Sequence, residues 1–223
     1  MKWKQFTLSV FLLTLAQLSF ADVNEAVYQL QKRWAQVNYT LKDKAQNQAF
    51  EELIQQADNV VNHNPKAAEA YIWRGIIKSS FAGAKGGLGA MSLAKSSKAD
   101  LEHALSIDEN ALSGSALTSL GTLYFKVPGW PIGFGDDDKA QALLEKAIKI
   151  NPNGIDSNYF YGEFLIDQRD YAKAEQFLLK AQQAPARPNR PLADKGRQDE
   201  IAASLNKVRT LMKPKKNPTG ISF

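Results

Sequence analysis

Few residues of this 223-residue chain have the types and spacing that enzyme chemistry requires. The two histidines, His63 and His103, stand far apart, and neither has a partner at the spacing of metal ligands. The chain has no cysteine, which excludes a thiolate nucleophile, a disulfide framework and a lipid-modified cysteine. We therefore predict a protein that is not an enzyme, with no catalytic residue, no bound metal and no cofactor.

Two segments have some features of known ligand-binding loops but lack the defining residues. The glycines from Gly83 to Gly89 are not followed by the Gly-Lys-Ser/Thr ending of a phosphate loop, so we predict a folded connection there. The run Asp136 to Asp138 lacks the alternating oxygen ligands and the distal glutamate of a calcium loop. We expect these aspartates to cap a helix that starts near Lys139.

A second group of residues is suited to binding. Ile76, Tyr159 and Glu163 lie on helices that are expected to line the concave face of a helical stack. One interpretation makes this face a binding groove, and the other makes the same residues part of the packing between repeats.

The elements that position these residues form a repeat. Three stretches, starting near Leu53, Ala99 and Ala140, each contain an amphipathic helix, a break and a second helix that includes a glycine. The glycines Gly75 and Gly162 each follow a proline at a distance of ten residues. This register predicts an all-α, tetratricopeptide-repeat-like solenoid of stacked antiparallel helix pairs. In the last pair, Gly162 is expected to let two helices approach, with Leu178 filling the gap between them.

Two insertions interrupt the regular unit, and both fall between the two helices of a repeat. Relative to the last repeat, about seven residues are added within 125–140, which reads FKVPGWPIGFGDDDKA, and about ten within or beside 81–97. We expect two loops that are neighbours on one edge of the stack, pinned against it or in contact with a partner. Their candidate ligand- or partner-binding residues are Trp130, Ile132, Phe134, Leu88 and Met91.

The chain ends are expected to differ from the repeat region. Residues 1–21 have the pattern of a signal peptide cleaved after Ala21, with an uncleaved membrane anchor as the alternative. We expect the repeat domain over 22–182, a Pro-rich connection and a capping helix over 183–212, and a basic disordered tail over 213–223.

Charge is unevenly distributed along the chain. The net charge is +5 in total and +6 from Arg187 onwards, which leaves an acidic body. A basic C-terminal end suits a solvated tail, an anionic lipid surface or an acidic partner, and we expect no nucleic acid partner for an exported protein.

Several segments together resemble the periplasmic tetratricopeptide-type proteins grouped with the T component of TRAP transporters, which are tripartite ATP-independent uptake systems. The most specific are AGAKGGLGA and VPGWPIGFGD. The late APARPNRPLADKGRQDEI also contributes, and the likeness extends from about Ala70 to Ile201. The resemblance implies an all-helical protein that forms a homo-oligomer, has a cleft for a hydrophobic small molecule and associates with a periplasmic solute-binding subunit. The family's known representative is a lipoprotein, whereas this chain has no cysteine to carry a lipid.

From the repeats, the two loops and this resemblance we expect a periplasmic binding and scaffold protein. In the first form of this hypothesis, it is an accessory component of a TRAP-type system that handles an apolar or amphipathic ligand. In the second, it is an envelope-assembly adaptor that binds protein partners through its repeat groove.

Overall fold

The computed structural model describes residues 23–213, and this part of the chain consists of helices and short connections. The helices are α1 (23–40), α2 (Asp43–His63), α3 (Ala68–Lys85), α4 (Gly87–Ile107), α5 (Ala111–Lys126), α6 (Asp137–Ile150), α7 (Ile155–Asp167), α8 (Tyr171–Gln182) and α9 (Pro191–Met212). Within 23–213, none of them is both long enough and apolar enough to cross a bilayer. The expected signal peptide and the tail after residue 213 lie outside the described residues.

Successive helices pack as antiparallel pairs, and the pairs stack into a solenoid, which confirms the predicted all-α fold. The most extensive packing is within α3–α4, α5–α6 and α7–α8. Each of these pairs has a glycine on its first helix, where a side chain would collide with a leucine of the second. A Cβ on Gly162 would lie 2.9 Å from Cγ of Leu178, and Leu178 is fully buried. Gly162 and Leu178 therefore have the roles that the repeat register predicted.

The expected glycine-rich loop within 81–97 is absent, and this part of the prediction is wrong. α3 continues to Lys85 and α4 begins at Gly87, so that only Gly86 separates the two helices. Gly86 and Gly87 have φ angles of 61° and 60°, which L side chains rarely adopt, and they reverse the chain within two residues. Alanine, leucine, lysine and methionine, which favour helix, occur on both sides of Gly86 and Gly87, so the insertion lengthens both helices of the pair.

α9 connects the two ends of the stack. Its residues Ile201 and Leu205 belong to the hydrophobic core that α7 and α8 share. Ala193, near its start, belongs to a second core formed mainly by α1, α2 and α3. Gly196 lies under the ring of Tyr39 from α1, where a Cβ would approach Cδ1 of that ring to 2.4 Å. The last helix therefore packs against both the last and the first pairs of the stack.

Candidate functional site

A cavity of about 520 Å³ opens on the concave side of the solenoid. Helices α1, α3, α5 and α7 supply most of its wall, α4 supplies one edge, and α9 with the connection before it supplies the opposite side. Its size falls within the range of roughly 300–1,000 Å³ that is typical of small-molecule sites. The residues that line it include Trp34, Tyr39, Trp73, Ile76, Met91, Lys126, Val127, Pro128, Asp156, Tyr159, Arg187, Arg190, Ala193, Arg197 and Glu200.

Helical spacing explains how α3 and α5 contribute to this wall. Residues three and four apart lie on one face of a helix, as do Trp73, Ile76 and Ser80 of α3. The corresponding face of α5 presents Thr118 and Thr122. The hydroxyls of Thr118 and Thr122 donate to backbone carbonyls of α5, so they can only accept hydrogen bonds from a ligand.

Aromatic side chains form one corner of the cavity. The ring of Trp34 packs edge-to-face against Trp73, with 5.8 Å between ring centroids, and against Tyr39, with 5.6 Å. The indole N–H of Trp34 donates to the Ser80 hydroxyl at 2.8 Å, so this buried polar group is satisfied and the ring orientation is fixed. The corner is therefore rigid before any ligand arrives.

A charged cluster forms the side of the cavity next to α9. Asp156 accepts hydrogen bonds from Arg187 Nη1 at 2.6 Å and from Arg197 Nε at 2.8 Å. Arg187 also pairs with Asp194 at 2.6 Å, and Arg197 pairs with Glu200. These contacts tie α7 to the connection before α9 and to α9 itself.

The pKa values within this cluster follow from burial and from the neighbouring charges. Burial alone would raise the pKa of the Asp156 carboxyl, but Arg197 and Arg187 outweigh it and hold that pKa well below its usual range. Burial is the main cause that raises the pKa of Tyr39 to about 12. Burial also raises the pKa of Glu200, against the influence of Arg197.

Arg190 differs from the other two arginines of the cavity. Among the described residues, its Nε is buried without a hydrogen-bond partner and its guanidinium is in no ion pair. The guanidinium lies over the ring of Trp73, with its central carbon 5.1 Å from the centroid. Burial, followed by repulsion from Arg187, lowers the pKa of Arg190 to about 10, so it remains a cation at neutral pH.

The loop 127–136 stands at the edge of the cavity. Its first residues, Val127 and Pro128, line the cavity, and the loop is closed by a hydrogen bond from Gly135 N to the Pro128 carbonyl at 3.0 Å. The side chains of Trp130 and Ile132, at its tip, are 89% and 71% exposed. The tip therefore presents two apolar side chains to solvent on a backbone held by its own hydrogen bonds.

Two further predicted residues of this loop contact the helices that flank it. Phe134 packs edge-to-face on Tyr124 of α5, with centroids 5.7 Å apart. Asp136 caps α6, because its carboxylate accepts from the Lys139 backbone N–H at 3.0 Å. The predicted capping role is confirmed for Asp136, and α6 begins at Asp137, two residues before Lys139.

The remaining predicted site residues differ in their position relative to the cavity. Ile76, Met91 and Tyr159 line the cavity, and Met91 also lies against the loop, since a Cβ on Gly133 would come within 3.0 Å of Met91 Cε. The two inserted segments are thus neighbours, as expected. Glu163 lies beside the cavity and accepts from Ser204 Oγ at 2.6 Å. Leu88 lies in α4, and its side chain is outside the described part of the structure.

Sequence reasoning missed Trp34, Trp73 and the three arginines. The basic C-terminal end was expected to be a solvated tail or a surface for an anionic lipid or an acidic partner, but Arg187, Arg190 and Arg197 fold into the cavity wall. The signal was their density in 187–197, where three arginines occur with few acids.

The histidines have structural contacts: His63 Nδ1 lies 2.8 Å from the Asn59 carbonyl, and the His103 ring packs on Tyr71.

Comparison with known proteins supports the fold. The family model described as Tetratricopeptide repeat matches residues 132–191, which include α6, α7 and α8. No curated protein matches the sequence significantly.

Solved structures with a likeness to this chain include the following three. One crystal structure of MamA is 18% identical with a TM-score of 0.44, and the match covers 75% of this chain and 91% of that chain. A second crystal structure of MamA is 17% identical with a TM-score of 0.42, and the match covers 82% of this chain and 91% of that chain. The third is pilF of Pseudomonas aeruginosa, 14% identical, with a TM-score of 0.34, covering 82% of this chain and 92% of its own. The family match and the observed helix pairs together give this chain a tetratricopeptide-like helical repeat fold.

Proposed function

We propose that this protein is a periplasmic binding scaffold that holds a small apolar or amphipathic ligand in its concave cavity and docks a protein partner at the adjacent loop. One observation carries the proposal: the loop 127–136 lines the cavity with its base and exposes Trp130 and Ile132 at its tip. A partner bound to the tip would therefore stand at the edge of the ligand site.

The loop is suited to docking because it is already ordered. The Ile132 N–H and the Gly133 N–H both donate to the Gly129 carbonyl, at 3.1 and 3.0 Å. A preordered loop loses little conformational entropy on binding, and a buried tryptophan commonly contributes a large share of binding energy. Two such exposed apolar side chains on one rigid tip are typical of a contact surface.

The resemblance to TRAP T components gives the proposal its specific form. In that form, the partner is the periplasmic solute-binding subunit of a TRAP-type uptake system, and the cavity exchanges a solute with it. The N-terminal pattern of residues 1–21 supports export across the inner membrane, with cleavage after Ala21.

The test is affinity purification of the tagged protein from periplasmic extract, with quantification of co-purified solute-binding subunits. We expect recovery of such a subunit with the wild type and at least about a tenfold loss with Trp130→Ala/Ile132→Ala, because hot-spot residues dominate interface energies. Leu211→Ala, at another exposed apolar residue, is the matched control and retains binding. Absence of any solute-binding subunit from the wild-type sample would remove the TRAP form of the proposal.

A second candidate function is an envelope-assembly adaptor that holds a peptide segment of its partner. The hydroxyls of Ser79, Ser119 and Thr122 on the cavity wall favour it, since they can bind the backbone groups of an extended peptide. A photo-crosslinking residue in place of Ser119 distinguishes the two functions. A cross-linked envelope-assembly protein supports the adaptor, whereas a small molecule retained in native mass spectrometry supports the first proposal.

A further inference from the structure

Arg190 is a cation in the cavity wall that forms no ion pair with any residue in the range 23–213. The carboxylates around Arg190 are already engaged: Asp156 is bound by Arg187 and Arg197, Asp194 by Arg187, and Glu200 by Arg197. Arg190 lines the same cavity, and the described residues supply no acceptor to its guanidinium. Because no neighbouring carboxylate pairs with this guanidinium, its terminal N–H groups are available to an anionic ligand.

The geometry of Arg190 indicates which acceptor would fit. Its Nε is enclosed and one face of the guanidinium covers Trp73, which leaves the terminal Nη groups to meet a ligand in the cavity. A guanidinium presents paired donors that match the two oxygens of a carboxylate. The acceptor is therefore a planar anion approaching in the plane of the guanidinium.

The surrounding charges limit the ligand to one negative charge. The cations that line the cavity, Arg187, Arg190, Arg197 and Lys126, are matched in number by the carboxylates Asp156, Asp194, Glu200 and Glu163, of which Asp156 and Glu200 line the cavity themselves. A dianion would place its second charge beside Asp156 or Glu200 and be repelled. A monoanion gains the contact with Arg190 without that repulsion.

The remainder of the cavity suits an apolar tail. The ring of Trp73 contacts both Arg190 and Trp34. The apolar side chains of Ile76, Met91 and Val127 also line the cavity. A cavity of about 520 Å³ accommodates a small amphiphile. An apolar tail in this space gains from burial, and the acid group at its end reaches the cation.

We propose that the cavity binds a small monocarboxylate with an apolar tail, and that Arg190 is the anchor for its carboxylate. The inference rests on the proposed ligand-handling function and adds the chemical class of the ligand and the residue that selects it. Arg187 and Arg197 hold the wall in place, while Arg190 makes the contact.

The test uses three probes with the same tail: octanoate, octan-1-ol and octyltrimethylammonium, titrated into the full chain by calorimetry at neutral pH. We expect octanoate to bind at least about tenfold more tightly than octan-1-ol, since a hydrogen bond to a charged group exceeds a neutral one by about that factor. Octyltrimethylammonium is expected to bind most weakly, because it places a cation beside Arg190. A preference for the ammonium probe overturns the assignment.

Substitutions of Arg190 test whether this residue binds the carboxylate of the ligand. Arg190→Gln is expected to lower octanoate affinity at least about tenfold and to leave octan-1-ol affinity unchanged, because only the charged contact is lost. Arg190→Lys keeps the charge without the paired donors and is expected to restore part of the preference. Arg209→Gln is the matched control, since Arg209 lies on α9 and pairs with Glu175 away from the cavity lining.

The outcomes separate this inference from the function on which it rests. If octanoate and octan-1-ol bind equally, or if Arg190→Gln leaves octanoate binding intact, the carboxylate assignment is wrong and ligand handling stands. If none of the probes binds to the wild type, both ligand handling and the carboxylate assignment fail. Urea denaturation of Arg190→Gln and Arg190→Lys establishes that each variant is folded before its affinity is compared.

Discussion

The same substitution, glycine to alanine, is expected to have opposite effects on stability at two helical positions of this protein. Gly121 on α5 faces α6, where an added Cβ would lie 2.8 Å from Leu144 Cγ and 3.3 Å from the Ala140 carbonyl oxygen. Gly83 on α3 has no atom within 4 Å of an added Cβ among those the structure describes. Gly121 therefore probes the close approach of two helices, and Gly83 is its matched control.

The magnitudes follow from two terms. Alanine favours helix over glycine by roughly 0.5–1 kcal/mol at either position, so Gly83→Ala is expected to raise the free energy of unfolding by about that amount. At Gly121, a leucine side chain and a backbone oxygen must also move, and overpacking of this kind costs about 1–3 kcal/mol. Because the helix term is common to both variants, the difference between them should equal the overpacking cost of about 1–3 kcal/mol.

Urea denaturation followed by circular dichroism measures both variants. Truncation of Leu144 provides an internal check, since Leu144→Ala alone should cost about 2–5 kcal/mol, while in the Gly121→Ala background the added methyl fills part of the space. The double variant should then be more stable than the sum of the two single effects predicts. If Gly121→Ala stabilises the protein as much as Gly83→Ala does, the close-packing explanation of the repeat glycine is wrong.

Three further predictions concern the charged cluster, a buried phenol and a helix cap. Asp156→Asn should lower the free energy of unfolding at pH 7 by about 2–4 kcal/mol, because it removes a carboxylate that two arginines share. The folded-state pKa of Asp156 is depressed, so its contribution to stability is present above the unfolded pKa of 3.8 and is lost as the pH falls further. Urea denaturation curves of the wild type and the variant should therefore converge at low pH. A difference in stability that stays constant with pH would contradict the prediction. Tyr39→Phe should remove a phase of tyrosinate absorbance with a pKa of about 12, and persistence of that phase would assign it to another residue. Asp136→Ala should lower the free energy of unfolding by about 0.5–2 kcal/mol, because the α6 cap is lost. Thermal denaturation measures this loss, with Asp138→Ala as the control, and equal losses in both variants would argue against a specific cap.

The repeat could be predicted from the sequence because its determinants are local. Gly162 and Leu178 lie within one helix pair, and the spacing between glycine and alanine positions encodes their contact. The break at Gly86 was harder to place, since glycine marks a loop or a sharp turn equally well, and the residues around it favour helix. The sequence indicated an insertion and its length, but its conformation depended on the packing of α3 against α4.

The candidate site could be predicted only in part because it depends on contacts between distant segments. Ile76 and Tyr159 were found from the face of the repeat on which they lie. Arg190 was missed because its position over Trp73 depends on α9 returning to α3. A basic cluster in the sequence gives no information about which element it will fold against, so charge counting assigned it to a solvated end.

The contact between α1 and α9 has a consequence for how this protein folds. In an open solenoid each repeat contacts only its neighbours, so partial arrays form independently. Here the Tyr39 hydroxyl lies 3.5 Å from Glu200 Oε2 across 161 residues of chain, and such a contact requires closure of a very long loop. The cavity is complete only when α1 and α9 are in contact, so a ligand that binds in it stabilises the closed arrangement and couples these two helices into one cooperative unit.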